Sequence, residues 1–361
     1  MIATLLVFIL ILLVLVISHE AGHFFSALFF GIKVEEFGFG IPPKLFGIKS
    51  KKGILYSFNL LPFGGFVKIF GEDGGESLNP AHFGAKPAWI QAVVLAAGII
   101  MNLVLAYLIF IIVAGLGTYE SIADENFAVH QDAKVMIVDI APGSPAAAAN
   151  LVAGDEIINV VSAQDYLAVQ KVSDVQKFID GHKGKEVLFS ILRGKAEFNK
   201  IVIPRANPPA GEGPLGVALE LVRIKKISWY QAPAVGAKIM WNAISATVVG
   251  LWDIIKNLIG GHANQVQVSG PVGIFNLTFS AKNMGIATLL TFVALLSINL
   301  GIINLLPIPG LDGGRLFFLL IESIRGKKIS TKTSALVHGI GLALLIFLML
   351  FITFHDIRAL F

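Results

Sequence analysis

Four stretches of this chain, roughly 1–30, 88–116, 285–306 and 334–354, stay apolar over a length that can cross a bilayer, which takes about 20 residues. The second and third carry no charge at all. Backbone in hydrocarbon must satisfy its own hydrogen bonds, so each stretch is expected to be a helix. Composition agrees: only 14 % of the 361 residues are charged, against about 25 % in soluble domains. The N-terminal run has no Lys or Arg before it and no small-residue cleavage site after it, so it reads as a span and not as a signal peptide. A further uncharged run at 239–252 looks too short to cross and is flanked by Lys238, Asp253 and Lys256. An amphipathic helix at the interface is expected there. The fold class is therefore membrane α-helical, with about four transmembrane helices and an inserted domain.

Charge orients these spans. The loop at 31–87 carries seven Lys, and the loop at 307–333 carries Arg315, Arg325, Lys327, Lys328 and Lys332. By the positive-inside rule both loops face the cytoplasm. The N-terminus, the 117–284 segment and the C-terminal tail then lie outside. The net charge of +4 is spread out, with no basic run interleaved with aromatics, so nucleic acid is not an expected partner.

The outer segment carries the signals of a small α+β domain at 128–206. Val135–Ile140, the stretch after Gly154-Asp155-Glu156, and Val187–Leu192 read as strands. Ser173 is placed to cap a short helix whose Val175, Phe178 and Ile179 form one apolar face. The run Gly143-Ser144-Pro145-Ala146-Ala147-Ala148, followed by Ala153-Gly154-Asp155-Glu156-Ile157, resembles a bacterial PDZ domain. Such domains take an extended peptide or a protein C-terminus as an added strand; the competing reading is a β-rich spacer without a ligand. The chain then divides into 1–116, 128–206, a linker at 207–284 with the interfacial helix, and 285–361.

The chemistry begins at His19-Glu20-Ala21-Gly22-His23. On a helix, His19 and His23 share one face and can share a metal, with Glu20 beside it to take a proton from water. An ionisable cluster inside a spanning helix is costly and points to function. Nine residues, Phe24 to Ile32, separate His23 from the cytoplasmic end, or about 13 Å of helix. The site is therefore expected inside the membrane, toward the cytoplasm, reached by water through a wet cavity. With no cysteine in the chain, the third ligand of a catalytic zinc must be His, Asp or Glu. Asp312, in Asn304-Leu305-Leu306-Pro307-Ile308-Pro309-Gly310-Leu311-Asp312-Gly313-Gly314, follows the third span on the same side. Pro307, Pro309 and Gly310 break the helix and could turn the carboxylate inward.

Together, the H-E-x-x-H in the first span, the N-x-x-P-x-P-x-L-D-G-G after the third and the PDZ-like insertion resemble the site-2 protease family. The nearest likeness is to bacterial regulator of sigma-E proteases. The resemblance implies an intramembrane zinc metalloendopeptidase of the bacterial inner membrane, with His19, His23 and Asp312 on Zn2+ and Glu20 as base. It implies that Asn304 contacts the substrate backbone. It also implies a transmembrane protein substrate, such as an anti-sigma factor, trimmed first by another protease. Some relatives carry two PDZ domains; only one is evident here. Two segments add to the likeness. Ile54–Phe70, apolar around Pro62-Phe63-Gly64-Gly65, resembles the family's membrane-reentrant β-hairpin. Gly98-Ile99-Ile100-Met101-Asn102 resembles its G-x-x-x-N, making Asn102 a candidate substrate contact near the site, with plain helix packing as the other reading. His338 in the fourth span reads as a packing histidine. The competing functions are a non-catalytic PDZ membrane adaptor, which predicts a degraded metal site, and a membrane-anchored zincin acting on soluble loops. The latter would normally place its third ligand, as Glu or His, on a following helix.

Overall fold

The computed structural model describes residues 2–72, 79–194, 196–209, 211–225, 227–261 and 270–358. Two compact units emerge. The first takes Met1–Ile112, Ala234–Phe279 and Leu290–Phe361; the second takes Val113–Pro233 and Ser280–Leu289.

The first unit opens with α1 (Ile2–Phe29), β1 (Val34–Lys49), β2 (Leu55–Ile69) and α2 (Ala88–Leu116). The expected hairpin is more folded than two strands. Phe37 pairs with both Val67 and Tyr56, while Ile48 also pairs with Tyr56. Four segments result, in the order 65–69, 34–39, 55–58, 46–49. Each strand folds back on itself, which leaves 65–69 at one margin with no further strand beside it among the described residues. Phe24, Ala27, Phe37, Ile54, Ile69 and Val94 form a buried core joining this sheet to α1 and α2.

The second unit follows with β3 (Thr118–Ile122), β4 (Lys134–Ile140), α3 (Pro145–Ala148), β5 (Glu156–Val161), β6 (Tyr166–Ala168) and α4 (Val172–Gly181). It ends on β7 (Val187–Arg193), β8 (Ala196–Val202) and β9 (Val217–Lys225). The sheet order is β3-β9-β4-β5-β7-β8, with β6 on β5. The domain therefore extends beyond 128–206, because β3 and β9 belong to the same sheet. Its core is Val135, Ile137, Val160, Val175, Val187, Phe189, Ile191 and Leu221. Ser173 does not cap α4. The carboxylate of Asp124 accepts the N–H groups of Val172 and Ser173 at 3.1 and 2.8 Å, and Asp174 accepts that of Lys171. Burial pushes the Asp124 carboxyl up, but these hydrogen bonds outweigh it and hold the group below its ordinary range. Asp155, fully buried, is paired in fork geometry with Arg193 at 2.6 and 2.8 Å.

The remaining helices are α5 (Ala232–Ile259), α6 (Pro271–Asn283), α7 (Ile286–Leu305), α8 (Asp312–Arg325) and α9 (Thr331–Arg358). Among the described residues five helices are long and apolar enough to cross a membrane: α1, α2, α5, α7 and α9. The expectation that the 239–252 run is too short fails, because Lys238, Asp253 and Lys256 do not end α5; the helix runs through them for 28 residues. Gly236, near its start, lies against Ile111 near the end of α2.

Candidate metal centre

The centre forms where α1, α2 and the start of α8 meet. His19 and His23 stand one turn apart on α1, both buried. Asp312 is the first residue of α8. Its Oδ2 lies 3.0 Å from His19 Nε2 and 3.2 Å from His23 Nε2, and the two ring nitrogens are 3.3 Å apart. A tetrahedral zinc with bonds of about 2.0–2.1 Å sets neighbouring ligand atoms about 3.3–3.4 Å apart. The triangle of donors thus has the size of one face of such a site, and a His/His/Asp set suits zinc. A fourth position is left for water or substrate.

Local geometry explains why these residues converge. A Cβ on Gly98 would overlap the imidazole of His23 and lie 2.8 Å from His19 Cε1, and one on Gly22 would overlap the Ala97 carbonyl. Glycine at both positions lets α1 and α2 approach until the two rings lie over the α2 backbone. His23 Nδ1 is 2.8 Å from the Val94 carbonyl, a hydrogen bond that leaves Nε2 free for a metal. Asn102, one turn after Gly98 and fully buried, reaches His19 Nδ1 at 3.3 Å. The turn from α7 to α8 is equally tight. A Cβ on Gly313 would overlap the Leu305 and Leu306 carbonyls, and one on Gly314 the Ile308 carbonyl. Gly310 sits at φ +98°, and its N–H is accepted by His338 Nδ1 at 3.0 Å. His338 therefore holds the Asp312 turn in addition to packing on Phe318.

The β1–β2 sheet closes on Glu20. A Cβ on Gly65 would lie 3.0 Å from Val16 Cγ1 and 3.4 Å from Glu20 Cγ. Arg315, one turn into α8, forms an ion pair with Glu72 just past the sheet. Asn304 is buried in the last turn of α7. A cavity of about 820 Å³ borders the Asp312 turn, lined by Glu72, Gly310, Arg315, Phe318 and His338; none of the three donors lines it. Sequence reasoning missed the Val94 carbonyl and the contact of His338 with the turn, since a backbone group leaves no side-chain signal; the close helix packing expected at Gly98 is present.

The model of peptidase family M50 matches residues 7–348. A candidate zinc metalloprotease of Clostridium perfringens is 36 % identical over 344 residues, covering 95 % of each chain. One of Clostridium acetobutylicum is 33 % identical over 347 residues, covering 95 % of this chain and 94 % of its own. The regulator of sigma-W protease RasP of Bacillus subtilis is 30 % identical over 438 residues, covering 99 % of each. With a match over nearly its whole length and this donor set in its core, the chain belongs to peptidase family M50, the zinc-dependent site-2 protease family.

Proposed function

We propose that the protein is an intramembrane zinc endopeptidase that hydrolyses peptide bonds in or near transmembrane segments of membrane proteins. The observation that carries this reading is the zinc-sized triangle of His19, His23 and Asp312 among helices long and apolar enough to cross a bilayer. A zinc ion held there supplies Lewis acidity, acidifying water and polarising a carbonyl. Glu20 takes the proton of the attacking water as its oxygen bonds the scissile carbonyl carbon. It then gives that proton to the leaving nitrogen as the C–N bond breaks. A complete donor set with Glu20 beside it disfavours a non-catalytic adaptor, and the third ligand on a distant turn disfavours a zincin working on soluble loops.

A helical peptide bond is shielded by its own hydrogen bonds. The 65–69 margin offers a place to hold the substrate extended, beside Glu20. Asn304, eight residues before Asp312, is the side chain we assign to the substrate backbone.

Topology follows from parity. Gly236 lies against Ile111 near the end of α2, and Gly270 lies against Ile352 near the end of α9. Both helices run away from the Lys- and Arg-rich loops, so the chain is on one side of the membrane at both points. Hence α5 makes no net crossing. Thr247 on α5 donates its hydroxyl to Asn299 of α7 at 2.9 Å, so α5 enters the membrane beside α7 without a net crossing, leaving four. The second unit then faces outward and the metal lies nearer the cytoplasm, in a bacterial inner membrane.

The second unit fits a PDZ-type peptide site. β3 pairs with β9 only from Leu221 to Lys225, so Val217–Glu220 keep one edge without a strand among the described residues. A cavity of about 250 Å³ lies there, lined by Val175, Ile179, Leu215, Val217 and Leu219. This is where a peptide or protein C-terminus would add. On the outer side of the membrane, the unit would admit substrates already trimmed by another protease, such as an anti-sigma factor, and exclude bulky ones.

The test is cleavage of a single-span substrate by the full-length protein in liposomes. Zinc chelation should abolish cleavage and zinc should restore it. Gly or Pro near the cut site should raise the rate, because each lowers the cost of unwinding by about 1 and 3 kcal/mol. Cleavage that survives chelation, or that is faster for stiff Leu-rich spans, would overturn this reading.

A further inference from the structure

The two imidazoles of the centre are held differently. An imidazole ligating through Nε2 carries its proton on Nδ1, and that buried N–H needs an acceptor. His23 has the Val94 carbonyl. At His19 the group within reach is the Asn102 amide. With Nδ2 turned toward the ring, two donors would face each other, and Oδ1 is left buried without a partner. The isosteric amide orientation, with Oδ1 toward the ring, removes both faults, and amide ends are assigned from such networks. Asn102 cannot turn away to a substrate without leaving a fully buried position. Its backbone is also held, since its carbonyl accepts the Ser297 hydroxyl at 2.8 Å.

We infer that Asn102 is a positioning residue for the metal: its Oδ1 accepts the Nδ1–H of His19, fixing the tautomer and ring plane that present Nε2 to zinc. The sequence had suggested a substrate contact; the geometry points to the ligand instead. Gly98 and Asn102 then form one device on α2, the glycine making room for the rings and the amide aiming one of them.

The inference rests on the metal assignment proposed above. It is tested by zinc affinity, measured by chelator competition on the full-length protein in detergent. Asn102→Leu keeps bulk but removes the acceptor and should weaken zinc binding about 10- to 100-fold. Asn102→Asp keeps an acceptor and should bind within threefold of wild type or more tightly. Substrate KM in the Asp variant should be unchanged. Zinc affinity within threefold of wild type for Asn102→Leu, or equal loss in the Leu and Asp variants, would overturn the inference. So would a raised KM with unchanged zinc affinity. If Asn102→Leu fails to fold, Asn102→Ala replaces it with the same expectation. A wild-type protein that binds no zinc, or an Asp312→Ala variant that binds it as well, would instead bring down the metal assignment itself.

Discussion

The metal centre and the α4–β9 groove of the second unit solve opposite problems. Around His19 and His23, space is set by glycines whose replacement would drive a Cβ into a ring or a carbonyl. Along Val217–Glu220 a strand edge is left open beside a cavity of about 250 Å³. The first region has no room for larger side chains at these glycines, because ligand atoms must stay within tenths of an ångström of a metal's geometry. The second has room, which the proposed peptide site would use to accept different chains.

The comparison breaks most sharply at Gly98. Gly98→Leu places side-chain atoms where His23 and His19 stand. Zinc content should fall close to zero, and cleavage by at least about a thousandfold, as expected when a positioned metal is lost. Metal analysis of the purified variant checks it, and near-stoichiometric zinc would show that the helix crossing is looser than described.

Removal of the second unit should act far more weakly. The ends of its insertion come together, since Gly236 lies against Ile111, so a short flexible linker can replace residues 117–226. The deletion must include β3 and β9; removing only 128–206 would leave them paired with each other but would strip β9 of β4 and of the core beneath it. Cleavage of a pre-trimmed substrate should stay within about threefold, as expected of a site that needs no chemistry from this unit. An untrimmed substrate refused by the intact protein should now be cut. Abolished cleavage with zinc still bound would make the unit a required docking site and not a filter.

These contrasts also explain what could be read in advance. α1, α2, α7 and α9 were legible because a bilayer demands long apolar runs, and their observed ends fall within a few residues of those expected. His19 and His23 were legible because a helix turns a four-residue spacing into one face. Asp312 took a longer argument, joining a missing ligand to a broken helix. The place of β9 in the sheet was not legible, because its partners β3 and β4 lie about 80 to 100 residues earlier in the chain and no local pattern joins them. Nor was the length of α5, since Lys238 and Asp253 looked like ends until the helix ran past them. His338 was seen only as packing because its partner is a backbone N–H.

The central claim is that one triangle of side chains holds zinc while Glu20, beside it, moves the proton. Zinc stoichiometry and cleavage of a single-span substrate, measured together in Glu20→Gln and Asp312→Ala, test it most directly. Glu20→Gln should keep close to one zinc per chain and lose cleavage by several orders of magnitude, because its amide cannot take a proton. Asp312→Ala should lose both, because two histidines alone leave the ion poorly held. Cleavage within tenfold of wild type in Glu20→Gln, or unchanged zinc in Asp312→Ala, would contradict the account.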